Sequence, residues 1–187
     1  MSDSRLIYLV RHGEAAASWG QSADPGLSEL GHTQAKVAAD YLETQINAAD
    51  MSLISSPLLR ARETAMPLAE RLGKSVAIDE RFREIPSPLP LAERQDWLRG
   101  FMRQQWSEQP GGLHTWRDSM VQAVEALSGS TVIFTHFLVI NALVGWYNKR
   151  AETLVFWPDN ASVTVLECDA AGIRVKSLGD EMSTVVN

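Results

Sequence analysis

Five consecutive apolar residues, Leu6-Ile7-Tyr8-Leu9-Val10, stop abruptly at Arg11-His12-Gly13. A strand that is apolar on both faces has to be covered on both, which places it in the middle of a parallel sheet between helices. The rest of the chain repeats that logic. Ser28, with acidic Glu29 behind it, predicts the cap of a helix bearing Leu30, Ala35, Ala38, Ala39 and Leu42. A short strand over 51–55 runs into Ser56-Pro57, read as a serine cap with proline at the first helical position, and then a helix with Leu58, Ala61, Ala65, Leu68 and Leu72 on one face. Gly73 ends that helix. Strands follow at 76–78 and 131–134, and the second of these leads directly into Thr135-His136 and another helix. Between them, 91–106 and 115–127 predict two amphipathic helices separated by a turn at Pro110-Gly111-Gly112. The remainder predicts strands over 153–157, 162–168 and 173–177, with turns at 158–160 and 171–172. Alternating strands and helices define an α/β chain: a three-layer α/β/α sandwich with a mostly parallel central sheet, in one domain over 1–187.

Composition narrows the class. The 187 residues are 45% hydrophobic and 21% charged, enough to bury a core without staples. The only cysteine, Cys168, excludes a disulfide framework or a cysteine-based zinc site. A net charge of -6 excludes a basic nucleic-acid surface. The first apolar run is too short for a signal peptide and no run is long enough to span a membrane, so a soluble cytoplasmic protein is expected. In so acidic a chain, any anion site has to concentrate its few cations in one place.

Parallel sheets bind ligands outside the carboxyl ends of their strands. Three strand ends here carry residues suited to phosphate: Arg11 and His12 after the first, Arg60 a turn beyond the second, and His136 after the fourth. The guanidinium of an arginine is a planar fork matched to phosphate oxygens. A neutral imidazole with its second nitrogen held by an acceptor can attack phosphorus, and His12 is the candidate nucleophile. A protonated His136 would stabilise the transition-state charge. Glu84 is the candidate acid that protonates the leaving oxygen and then deprotonates water.

Leu9-Val10-Arg11-His12-Gly13-Glu14 resembles the signature of the histidine phosphatase superfamily, also called phosphoglycerate mutase-like. Further segments are similar to that family in the same order: Asp24-Pro25-Gly26-Leu27-Ser28-Glu29-Leu30-Gly31 with Gln34-Ala35, Ser55-Ser56-Pro57-Leu58-Leu59-Arg60-Ala61-Arg62-Glu63-Thr64-Ala65, Phe82-Arg83-Glu84-Ile85, Thr135-His136 and Asn160-Ala161-Ser162-Val163. The resemblance implies that His12 is phosphorylated, that Arg11, Arg60 and His136 bind phosphate, that Glu84 donates the proton, and that no metal or other cofactor takes part. It also implies a substrate cap around 86–118. The chain departs from the family pattern at Phe137, where glycine is usual, at Asn141, where an arginine usually follows, and at Pro86-Ser87-Pro88-Leu89-Pro90.

Competing residues are separated on physical grounds. Arg62 lies two positions from Arg60 and so faces another side of its helix. Glu80 is the alternative to Glu84. Glu14 suits a group that orients the phosphate donors rather than one that reacts. His32 and His114 are read as surface or lid residues, and Trp97, Trp106 and Trp116 as packing. The resulting expectation is a phosphatase of a small phosphomonoester. Three alternatives stand beside it: a phosphoglycerate-type mutase, a protein phosphatase acting on phosphohistidine, and a non-catalytic phosphate sensor.

Overall fold

Alternate residues of β1 (Arg5–Arg11) enter two different cores. Ile7 and Leu9 pack with Phe82, Ile85, Met120, Leu138 and Val139 on one side of the sheet. Tyr8 and Val10 pack with Ala39, Leu42, Ala65 and Leu68 on the other. Each fully buried aliphatic side chain of this kind contributes ~1.5–3 kcal/mol. A strand so loaded has no stable position except between two helical layers.

The structure, a computed structural model, describes residues 4–17 and 21–182. Among these, β1, β2 (Ser52–Ser55), β3 (Ala77–Ile78) and β4 (Thr131–Thr135) run parallel, and β5 (Val163–Asp169) and β6 (Gly172–Ser177) run antiparallel. The order across the sheet is β3-β2-β4-β1-β5-β6. The helices α1 (Glu29–Gln45) and α2 (Leu59–Leu72) cover one face, while α3 (Arg94–Phe101), α4 (Gly111–Glu125) and α5 (Phe137–Tyr147) cover the other. The expected α/β sandwich is therefore present. No helix among the described residues is long and apolar enough to cross a membrane.

Several boundaries fall elsewhere than predicted. Ser28 does cap α1, its hydroxyl accepting from Gly31 N, and Ala35, Ala38, Ala39 and Leu42 face inward. Leu30 does not; at 52% exposure it lies on the outer side. Ser56 is not the cap of α2, which begins three residues later at Leu59. Gly73 ends α2 as expected, in the left-handed region with φ 61°. The helix predicted over 91–106 is regular only from Arg94 to Phe101. Its neighbour starts four residues early, because Pro110 precedes α4 and Gly111 and Gly112 form the first turn. Buried Leu113 and the Trp116 indole, which donates to Arg83 O at 3.1 Å, hold that turn and outweigh the low helix propensity of glycine.

Residues 153–157 are not a strand. Their amides go elsewhere: Thr153 N to Gln104 O, Val155 N and Phe156 N to the carboxamide of Asn141, and Trp157 N to Glu181 Oε1. An apolar run reads as a strand, but backbone partners decide what it becomes.

Candidate active site

Register brings the predicted residues to one edge. Arg11 pairs with Thr135, and Ser55 with Phe134, so His12, His136 and Ser56 leave the sheet side by side. His12 N donates to Thr135 O at 3.0 Å and Ser56 N to Phe134 O at 2.9 Å, extending the ladder one step beyond the strands. Antiparallel β5 starts at this same edge. Arg11 N donates to Ser162 O and Ala161 N to His12 O, which sets Asn160 beside the loop that follows β1.

His12 is buried, and its Nδ1 lies 2.6 Å from Gly13 O. A carbonyl oxygen can only accept, so Nδ1 carries the proton and Nε2 keeps its lone pair. That lone pair accepts from Arg60 Nε at 3.2 Å. Burial, and then the charges of Arg60 and Arg11, hold the His12 pKa well below the usual 6.5. The imidazole is thus neutral, in the tautomer a nucleophile requires. Thr64 fixes the geometry from below: its hydroxyl donates to Arg60 O at 2.7 Å and accepts from Gly13 N at 3.0 Å, tying α2 to the loop.

The His136 ring stands edge-on to His12, with centroids 5.3 Å apart. Its Nε2 lies 2.7 Å from Ser56 Oγ, and its Nδ1 is buried with no partner among the described residues. Ser56, read in the sequence as a helix cap, instead supports this imidazole and accepts from Leu58 N. Burial and the charge of Arg60 depress the His136 pKa as well, so the unliganded ring is neutral rather than protonated as expected. An arriving dianion would reverse that balance and raise it.

These two rings give a stability prediction. With folded pKa values below the unfolded 6.5, their contribution is complete above pH 6.5 and is lost as pH falls through the folded values. Each imidazole can account for up to about 1.4 kcal/mol per pH unit inside that window. Glu84, with its pKa raised, acts in the opposite sense: its share is present below 4.5 and lost as pH rises. Urea midpoints should fall between pH 7.5 and 5.5, and fall less in a His12→Asn/His136→Asn variant. Equal slopes in the two proteins would refute this.

Arg60 is buried at the start of α2, and Arg62 is exposed and faces another groove with Met66 and Glu70. Glu84 is buried, with Oε1 accepting from Ile85 N at 2.9 Å and Oε2 from Leu138 N, in the first turn of α5, at a long 3.4 Å. Burial raises its pKa against the pull of those bonds and of Arg60, which suits an acid that has to hold a proton. Glu80, its competitor, is exposed and pairs with Arg83. The Glu14 carboxylate accepts from Ser28 Oγ at 2.7 Å, which anchors the loop to α1. His32 lies 3.9 Å from Glu63, and His114 lies beside Arg117 and Trp106 in the region of α4.

One cation was not singled out in the sequence. Arg94 opens α3, donates to Ile85 O at 3.2 Å, keeps a buried Nε with no partner among the described residues, and projects its charge onto Glu84, Arg60 and His136. Nothing in its spacing separates it from an ordinary solvated helix charge. Its neighbour Gln95 lines a cavity of about 380 Å³ together with Arg11, His12, Glu14, Ala15 and Asn160. A second groove of about 640 Å³, beyond Asn160, contains Asp159 and Asp180 but no Arg, Lys or His, and is unsuited to an anion.

With this geometry in place, comparison with known proteins identifies the lineage. The profile of the histidine phosphatase superfamily (branch 1) matches residues 7–181. The chain belongs to that superfamily. Glucosyl-3-phosphoglycerate phosphatase of Mycobacterium tuberculosis (strain ATCC 25618 / H37Rv) is 33% identical over 124 residues, covering 64% of this chain and 51% of its own length. A putative phosphoserine phosphatase 2 of Hydrogenobacter thermophilus (strain DSM 6534 / IAM 12695 / TK-6) is 32% identical over 86 residues, 43% of this chain and 40% of that protein. The histidine phosphatase chain therefore spans about half the length of the curated relatives it matches. Among solved structures, mycobacterial glucosyl-3-phosphoglycerate phosphatase complexed with VO3 superposes with a TM-score of 0.68 and 26% identity, over 95% of this chain and 100% of that one.

Proposed function

We propose that this histidine phosphatase hydrolyses a small phosphomonoester through a phosphohistidine on His12, without a metal. The observation that carries this reading is the His12 ring itself, its Nδ1 proton locked on Gly13 O and its Nε2 lone pair presented beside Arg60. Arg60, Arg11 and His136 receive the phosphate. Nε2 attacks phosphorus as the P–O bond to the leaving group breaks, and Glu84 gives its proton to the departing oxygen. Water then attacks phosphorus, returns a proton to Glu84, and the P–N bond breaks to release inorganic phosphate. Burial favours the protonated form of Glu84 that this cycle needs.

Arg94 refines the substrate class. A third guanidinium whose charge is felt at Glu84, Arg60 and His136 favours a leaving group that is itself anionic, and both phosphoserine and glucosyl-3-phosphoglycerate, in the names of the relatives, carry a carboxylate. Phosphoglycolate should therefore be turned over with a lower KM than ethyl phosphate, which differs from it by that carboxylate.

Glu84→Gln tests the chemistry. Loss of the general acid should lower kcat/KM, which reports phosphoenzyme formation, by roughly 10²–10⁴-fold for an alkyl phosphate, and far less for p-nitrophenyl phosphate, whose leaving group needs no proton. An equal loss of kcat/KM for both substrates would remove Glu84 from the acid role, whereas kcat, which contains the water step shared by both, should fall for either. A phosphohistidine protein phosphatase would be insensitive to the change.

A further inference from the structure

Asn141 and Phe137 lie on the first turns of α5 and are both fully buried, yet neither belongs to the set that touches phosphate in the reading above. Their contacts converge on one group. The Asn141 carboxamide is pinned within its own helix, Nδ2 donating to Phe137 O at 3.0 Å. That fixes Oδ1 toward the chain beyond the helix, where it accepts from Val155 N at 2.8 Å and Phe156 N at 3.1 Å. These two bonds set the path of the next residues. The Trp157 ring packs edge-on to Phe137 with centroids 5.4 Å apart, and Pro158 O accepts from Arg11 Nη1 at 2.8 Å. The Arg11 guanidinium carbon in turn sits 5.2 Å from the centre of the Phe137 ring.

Which edge of the guanidinium is held matters for phosphate. With Nη1 committed to Pro158 O and near Met182 Sδ, Nε is buried without a partner among the described residues. Nε and Nη2 form the side-on pair of donors that matches two oxygens of one phosphate. An arginine with its side-chain torsions free would present that edge only part of the time. Clamped between a ring and a carbonyl, it presents it continuously.

We infer that Asn141 and Phe137 are positioning residues: through the 155–158 segment and the stacked ring they hold Arg11 with its Nε–Nη2 edge turned to the phosphate. The inference rests on Arg11 being a phosphate ligand, and the test separates the two. Inhibition by inorganic phosphate is measured with p-nitrophenyl phosphate as substrate for wild type, Arg11→Ala, Asn141→Leu and the double variant, each checked by thermal unfolding. Arg11→Ala should weaken phosphate at least about tenfold, as should Asn141→Leu, which removes the acceptor at similar volume. In the Arg11→Ala background the Asn141 change should then matter less than about twofold, because its target is gone. A loss that persists undiminished in that background overturns the positioning role, since a merely structural residue would act either way. Unchanged phosphate inhibition in Arg11→Ala alone overturns the premise instead. If Asn141→Leu does not fold, Phe137→Leu carries the same cycle, with the same outcomes deciding.

Discussion

Replacing His12 with alanine should lower turnover of p-nitrophenyl phosphate by at least about 10³-fold while leaving the fold intact. The side chain is small, and its bonds to Gly13 O and Arg60 are local to the site. Removing it also leaves Arg60 Nε without its acceptor, a cost of roughly 1–3 kcal/mol that thermal unfolding of the variant reads. Chemistry is affected much more, because the reacting lone pair goes with the side chain, while His136 has its Nε2 tied to Ser56 and its ring edge-on to His12. Acid-labile, base-stable label from a phosphorylated substrate should accumulate on wild type under rapid quench and be absent from His12→Ala. Label that survives in the variant would move the nucleophile elsewhere. Turnover that survives without label would point to direct attack by water and remove the covalent step. His136→Ala provides the contrast: it should slow turnover but leave label on His12, since it contributes a donor rather than the reacting atom.

The sequence made the parallel part of the sheet legible for a simple reason. Strands buried on both faces have to be apolar along their centre, and Leu6 to Val10 and Val132 to Phe134 satisfy that. Strand ends inherit the ligand-binding edge from topology, which is why His12, Arg60 and His136 could be placed together before any distance was known. What was illegible depended on partners distant in sequence. Residues 153–157 have a strand's composition, but Asn141 takes two of their amides from 14 and 15 positions away. Gly111 and Gly112 have a turn's composition, but Leu113 and Trp116 pull them into a helix. Ser56 looked like a cap because serine before proline usually is one; that its hydroxyl supports His136, 80 residues on, has no local signature. Arg94 was missed for the converse reason, since a charge at a helix start is the commonest thing on a protein surface and only its tertiary position distinguishes it.

Adding one methyl group at Gly31 should destabilise the protein more than at any other described glycine. A Cβ there would lie 2.1 Å from Glu14 O and 3.1 Å from Glu14 N, and one on Gly13 would lie 2.6 Å from Gly31 O. Two backbones touch at this crossing, the loop after β1 passing over the first turn of α1, so no flexible side chain can yield. The loop is also fastened on both sides, by Ser28 N to Glu14 O at 2.9 Å and by Glu14 N to Gln34 Oε1 at 2.8 Å, and cannot lift without breaking those bonds. Overpacking a core costs about 1–3 kcal/mol where side chains can adjust, and Gly31→Ala, which has to displace backbone, should reach or exceed the upper figure. Any folded fraction should bind phosphate poorly as well, because lifting the loop carries His12 away from Arg60. Gly100→Ala is the control: it lies inside α3 with nothing within 4 Å of its Cβ, so helix propensity should stabilise the protein by up to ~1 kcal/mol. Urea midpoints moving in opposite directions for the two variants are the expected result. A Gly31→Ala protein with the wild-type midpoint and wild-type phosphate inhibition would show that the loop and the helix are not in contact.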